Sequence, residues 1–383
     1  MDFALNKEQE AIRTAARDFA KGEFEREIAL EHERNHSFPR EVWKKACELG
    51  FIGIHFPEEY GGQEYGILEN ALVVEEFCRQ DSGIGIALTL ADFASEIILR
   101  CGNEEQKAKY LTPLTEGKMI SCGGFTEPDH GSDITLMNTT AVRDGDDWVI
   151  NGTKTFITNG TIGDYVNLLC QTDPEASPTY RGQSVILVER GTPGFTDADV
   201  GEKMGIKMTS TGELSFNDVR VPASNLIGEE NRGFYQVLEF FDESRIEIAA
   251  QALGIAQGAF DRALAYTKER KQFGKKLAQF QATQHKLADM ATKIETARLL
   301  VYMAAWNYDQ GRIDPKLTSM AKMYAARTAV EVADEAIQLH GGYGYMLEYD
   351  VERFYRDAKI MEIYEGTREI QKNTIASALL GKL

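Results

Sequence analysis

The sequence predicts an α+β chain in three parts. These are an N-terminal α-helical domain at 1–120, a middle antiparallel β-barrel or sandwich domain at 121–230, and a C-terminal four-helix bundle at 231–383. Three observations carry this reading. Apolar residues recur at three- and four-residue spacing up to about Ser121. Short β-rich runs of period two replace them as far as about Leu226. Helical periodicity then returns near Gly233 and lasts to the end, with no strand–helix alternation of the βαβ kind.

In chain order, 3–27, 39–49, 67–79 and 104–114 read as helices, and Pro57-Glu58-Glu59-Tyr60-Gly61-Gly62 as a turn cluster between two of them. Strands are expected at 148–150, 165–169, 184–188 and 214–216, separated by turns such as 144–147 and 151–152. The long amphipathic segments 234–269, 278–310, 315–339 and 370–380 make up the bundle.

Composition narrows the function. With 383 residues, 43% of them hydrophobic and only nine prolines, the chain can bury a large, mostly helical core. A net charge of -18 argues against nucleic acid or an anionic membrane as partner, so an anionic ligand would need a local basic or amide-lined site. No apolar run reaches membrane-spanning length, and Met1-Asp2-Phe3-Ala4-Leu5 resembles neither a signal nor a transit peptide, so a cytoplasmic location without membrane insertion is expected. The five scattered cysteines (Cys47, Cys78, Cys101, Cys122, Cys170) read as reduced thiols. The six histidines form no HExxH, and no metal site is expected.

Glu365 carries the most chemistry. It lies between Tyr364 and Gly366 at a joint between two helical patterns, where Gly366 supplies backbone freedom. A carboxylate there can project into an apolar cleft, where its pKa rises towards the range of a general base. The loop Phe125-Thr126-Glu127-Pro128-Asp129-His130-Gly131-Ser132-Asp133 offers hydroxyls and free amides to a ligand. Phe156 and Thr158 share strand parity, so an aromatic and a hydroxyl lie on one face, suited either to a flat ring or to core packing. Gly341-Gly342-Tyr343-Gly344-Tyr345 reads as a helix C-cap and turn. Lys268–Lys276 is a basic island, either a solvated helix end or a phosphate site. No GxGxxG motif supports a Rossmann dinucleotide site.

In order and spacing, five motifs resemble the flavin-dependent acyl-CoA dehydrogenases over the whole chain: Phe125-Thr126-Glu127-Pro128 to Ser132-Asp133, Phe156-Ile157-Thr158-Asn159-Gly160, Lys203-Met204-Gly205-Ile206 to Val221-Pro222, Arg270-Lys271-Gln272-Phe273 and Tyr364-Glu365-Gly366-Thr367. The resemblance implies that three domains enclose FAD in a homotetramer, a dimer of dimers. It assigns Phe125, Thr126 and Ser132 to the flavin and its phosphates, Thr158 to the reactive ring edge, and Phe156 to ring packing, where many relatives carry Trp. Arg270, Gln272, Phe273, Gln338, Gly341 and Gly342 would reach the FAD of a neighbouring subunit, with Thr367 and Glu369 near the adenosine. Asp242, Arg245 and Ser132 would hold CoA, and Tyr364 and Gly366 would contact substrate beside Glu365.

By the same resemblance, Glu365 is the base that removes the α-proton of an acyl-CoA thioester while the β-hydrogen leaves as hydride to the flavin. Its backbone N–H would stabilise the enolate-like oxygen. Some relatives place the base one residue before Arg245, which here is Ser244; Glu243, one helical step before it, is turned about 100° away. An electron-transferring flavoprotein is the implied electron acceptor. Asp92 stands where relatives carry a small neutral residue on a pocket-lining helix. It reads either as a backbone-bonded Asp or as a second base for 1,4-elimination on a cyclic acyl- or enoyl-CoA. Gly85 replaces the Arg of glutaryl-type relatives, which argues against a dicarboxylyl substrate. The alternatives are a flavin oxidase using oxygen on the same fold and a non-catalytic flavin-bearing binding or scaffold protein.

Overall fold

The computed structural model describes residues 4–381. Phe3, the start of the first expected helix, lies outside the described residues. Seven helices open the chain: α1 (Lys7–Glu23), α2 (Arg26–Asn35), α3 (Arg40–Glu48), α4 (Ile67–Gln80), α5 (Ser82–Thr89), α6 (Ser95–Cys101) and α7 (Glu104–Thr115). Asn6 and Gln9 start α1 with a reciprocal capping box. The single helix expected at 3–27 breaks at Phe24, whose ring is buried against Phe19 and Phe77. Burying that ring outweighs a continuous helix of good local propensity. The N-terminus of α4 is capped from far along the chain, where the Asp309 carboxylate accepts from the Ile67 and Leu68 N–H groups at 2.7 and 3.0 Å.

The middle region forms strands β1 (Ser121–Gly124), β2 (Thr140–Asp144), β3 (Asp147–Thr158), β4 (Tyr165–Gln171), β5 (Gln183–Glu189), β6 (Phe195–Asp199), β7 (Thr211–Pro222) and β8 (Leu226–Ile227). They make one sheet in the order β6-β7-β3-β2-β4-β5-β8, with β1 added beside β4. The main pairings are antiparallel, as expected, while β1 and β2 meet β4 in parallel. Gly145 makes the expected β2–β3 turn at φ 63°. Asn151-Gly152, expected as a turn, is instead a bulge inside β3: a side chain at Gly152 would run into Thr139, and Asn151 exchanges two hydrogen bonds with Asp218 on β7.

The C-terminal region holds α8 (Gly233–Glu269), a hairpin of β9 (Lys271–Gln272) and β10 (Lys275–Lys276), then α9 (Gln281–Asp309), α10 (Pro315–His340), α11 (Val351–Ala358) and α12 (Arg368–Leu380). Small residues such as Ala249, Ala252, Ala256, Ala325 and Ala329 let α8 and α10 approach closely, and α4 from the first region joins the same core. Asp81 binds this arrangement together. Its carboxylate caps α5 at the Ile84 N–H and takes a bidentate pair from Arg353 of α11 at 2.7 and 2.6 Å, both residues buried. The candidate site lies where α5, α8, α10 and the segment before α12 meet.

Candidate active site

Glu365 sits in the link between α11 and α12, with φ 54° followed by φ 89° at Gly366. Two successive left-handed residues turn the chain sharply, which explains glycine at the second position. Every carbonyl of the turn is held. The Lys322 ammonium donates to the Tyr364 and Gly366 carbonyls, each at 2.7 Å. Gln371 donates to the Glu365 and Gly366 carbonyls at 2.9 and 3.0 Å, and Arg245 reaches the Glu365 carbonyl at 3.4 Å. The Ser244 hydroxyl donates to the Glu365 carboxylate at 2.6 Å. Burial pushes the Glu365 pKa above the usual carboxylate range, while Ser244, Arg245 and Lys322 favour its charge and limit the rise.

The structure thus gathers Tyr364, Glu365, Gly366, Ser244 and Arg245 at one point. Arg245 is buried, with its guanidinium 5.5 Å from the Phe241 ring. Asp242 is half-buried on α8 and pushed up to about 6 by burial, against the pull of Arg245 and Arg100. Glu243 turns away, as the helical geometry requires, and ion-pairs with Arg100, while the neutral His55 ring lies 3.3 Å from its carboxylate. His55, Glu96 and Glu243 could together offer ligand atoms to an ion, but the Arg100 guanidinium already supplies positive charge there. Burial, with Arg100, pushes His55 down to about 3, so it is neutral.

Asp92 is buried but not on a helix. It lies in the turn between α5 and α6, which Ala94 closes with φ 70°. Burial raises it to about 7, opposed only by backbone N–H groups, including that of Gly53. Burial and the Asp92 charge raise Glu96 of α6 to about 8. Glu247 of α8 is raised well above its ordinary value by burial and by Asp92, Glu96 and Glu365. Gly85 faces α4: a Cβ there would lie 2.6 Å from the Cys78 amide nitrogen. Its lack of a side chain therefore reports helix packing.

Sequence reasoning missed Glu96, Glu247, Gln251 and Lys322. Gln251 links the group, since the Tyr364 hydroxyl donates to it at 2.6 Å and its amide donates to Thr89 at 2.9 Å and Glu247 at 3.4 Å. A polar residue on a small-residue helix face was the signal available for Lys322 and Gln251.

The other expected residues fall into two groups. On the β side, Phe125 is buried against Phe240 and Phe241, Thr126 and Thr158 are half-buried, and Ser132 is exposed. A second bulge in β3, between Lys154 and Ile157, gives Phe156 φ 57° and leaves it 69% exposed. The fully buried Lys154 pins the 125–133 loop by donating to the Phe125 carbonyl and the Glu127 carboxylate at 3.1 and 2.9 Å. In the second group, Arg270, Gln272, Gln338, Gly341 and Gly342 line a cavity of about 630 Å³ with Tyr266, His340 and Tyr343. The basic island proves to be the β9–β10 hairpin, whose turn carries Phe273 (φ 52°, 93% exposed) and Gly274 (φ 73°). Thr367 caps α12 by accepting from the Ile370 N–H, and Glu369 is exposed in its first turn.

The descriptions "Acyl-CoA dehydrogenase, N-terminal domain", "middle domain" and "C-terminal domain" match residues 6–118, 122–219 and 231–380. The chain belongs to the acyl-CoA dehydrogenase family. It is 44% identical to the short-chain specific acyl-CoA dehydrogenase of Clostridium acetobutylicum over 99% of this chain and 100% of that protein. It is also 44% identical to the acryloyl-CoA reductase (NADH) of Anaerotignum propionicum, over 99% of this chain and 96% of the relative. A solved chain described with the electron transferring flavoprotein of Acidaminococcus fermentans superposes with a TM-score of 0.96 at 43% identity, covering 100% of both chains.

This acyl-CoA dehydrogenase is an FAD-dependent oxidoreductase of CH–CH groups. Its residues fit that cofactor. The 630 Å³ cavity presents a guanidinium, two amides and open space above Gly341 and Gly342, a donor set suited to a diphosphate. The exposed Phe156 ring beside the half-buried Thr158 suits a flat heterocycle. No helix among the described residues is long and apolar enough to cross a membrane.

Proposed function

We propose that this enzyme dehydrogenates an acyl-CoA thioester between its α- and β-carbons, with Glu365 as the α-proton base. The observation that carries the reading is the held turn. Glu365 is embedded and raised, yet Ser244, Arg245 and Lys322 keep its ionised form within reach. Glu365 takes the proton, its N–H and the ordered turn orient the thioester oxygen, and Tyr364 closes the floor through Gln251. FAD, when bound, supplies the hydride acceptor for the β-hydrogen. Phe125, Thr126, Ser132, Phe156 and Thr158 would hold its ring side. Arg270, Gln272, Phe273, Gln338, Gly341 and Gly342 would serve a neighbouring subunit's FAD in a homotetramer, with Thr367 and Glu369 near adenosine. Asp242, Arg245 and Ser132 would meet CoA.

The short-chain name of one relative supports a short acyl group, and the superposed chain described with an electron transferring flavoprotein supports such a protein as electron acceptor. Anaerobic mixing with straight, branched and cyclic acyl-CoA thioesters, followed by flavin bleaching, tests the reading. Bleaching by a short straight-chain thioester is expected, and none with any member would overturn it. A second reading uses the buried acids: Asp92 at about 7 beside Glu96 and Glu247 could serve as a second base on an alicyclic enoyl-CoA. Under that reading, Asp92→Asn abolishes turnover of the cyclic thioester and spares the straight-chain one.

A further inference from the structure

Lys322, like Lys154, is a buried lysine, but among the described residues it has no carboxylate hydrogen-bonded to it as Glu127 is to Lys154. Lys322 is 1% exposed on α10, three and four residues before the buried Ala325 and Ala326 on the same helix face. A buried lysine is costly unless its head is engaged. Here both engagements are backbone carbonyls, and they belong to the residues immediately before and after Glu365. In a planar trans peptide the C=O and N–H point in opposite directions. Drawing the Tyr364 carbonyl onto Lys322 therefore turns the Glu365 N–H away from α10.

We propose that Lys322 is the positioning residue of this turn: it clamps the carbonyls on both sides of Glu365, aims the Glu365 N–H and carboxylate at the substrate, and lends its charge to the ionised base. The inference rests on Glu365 being the base. Other groups act on the same centre from every side. Ser244 and Arg245 face Glu365 from α8, Glu362 acts on Lys322 from the turn before Glu365, and Glu247 and Glu96 feel the Glu365 charge from α8 and α6. Burial lowers Lys322 to about 7, and the Glu365 charge works against that fall. A neutral amine still has two N–H groups for the two carbonyls, so the clamp survives deprotonation while the charge does not. The geometry and the electrostatics can therefore be separated by mutation.

The test uses the FAD-loaded enzyme and butyryl-CoA, with the rate of flavin bleaching measured across pH. Lys322→Gln keeps two donors and drops the charge. It should bind FAD normally, and the acid limb of its profile should move to higher pH by about one unit. Lys322→Met drops both and should also lose roughly 10-fold or more in the maximal rate. Lys322→Arg keeps the charge and should leave the acid limb in place. Should the Met variant fail to retain FAD, the contrast between Gln and Arg decides. Wild-type rates and pH limbs in Lys322→Gln, whatever its melting temperature, would overturn the inference and leave a purely structural lysine. Glu365→Gln is run in parallel: if it still bleaches the flavin, the base reading fails; if it does not, an unmoved profile in the Lys322 variants counts against Lys322 alone.

Discussion

Glu365 and Asp92 are both carboxylates embedded in one protein interior, yet their surroundings differ in kind. Glu365 faces a hydroxyl donor and two cations, Ser244, Arg245 and Lys322. Asp92 has only backbone N–H groups to favour its charge, and it raises its acidic neighbours Glu96 and Glu247. Burial raises both carboxyls, but only one is given opposing charge. A base must shed its proton to start a turnover and accept one to complete it, which suits Glu365. A carboxyl among other acids, with no cation beside it, is only partly ionised near neutral pH.

The largest effect should come from removing the base. Glu365→Gln keeps the shape and the contact with Ser244, and should lower the rate of flavin bleaching by roughly 10²–10⁴-fold with FAD still bound. Stopped-flow absorbance anaerobically checks this, and a rate within a few-fold of wild type would make Glu365 one more buried acid, no different from Asp92.

A smaller change should come from Ser244→Ala. The hydroxyl stabilises the ionised carboxylate, so its loss raises the Glu365 pKa. Because the working form is deprotonated, the acid limb of the bleaching rate should move to higher pH by about one unit, with the rate recovered at alkaline pH. A loss that is uniform across pH would mean that Ser244 shapes the pocket without tuning the base.

The two carboxylates also differ in how far the sequence disclosed them. Glu365 was legible because its setting is local: a carboxylate beside a glycine at a helix joint, and Gly366 does take φ 89°. The α–β–α order and the long helices α8, α9 and α10 were legible for the same reason, since periodicity is written along the chain. What tunes Glu365 was not legible. Lys322 reads in sequence as an ordinary helical lysine, and only the packing of α10 under the turn buries it. Glu247 reads as a solvated charge, and the approach of α6 makes it one of a group. The turn holding Asp92 was hidden because the apolar run 84–98 fits one helix as well as two. The break at Ala94 is a tertiary event, as is the capping of α4 by Asp309.

The smallest effect is on stability and carries its own sign. An unfolded Asp titrates near 3.9, whereas Asp92 in the fold is raised to about 7. Between these values the folded chain binds a proton that the unfolded chain has released, so this group's contribution to stability falls as pH rises through the window. Above about pH 7 the folded protein must hold a carboxylate beside Glu96 and Glu247 with no cation to meet it. Asp92→Asn has nearly the same volume and no charge to hold. The variant should therefore gain on the wild type as pH rises from 5 to 8, by about 1–2 kcal/mol after local relaxation, read as a widening difference in Tm. Parallel Tm curves would mean that Asp92 is ionised and partnered throughout. The contrast with Glu365 would then dissolve, and with it the reason to treat Asp92 as a poised second base.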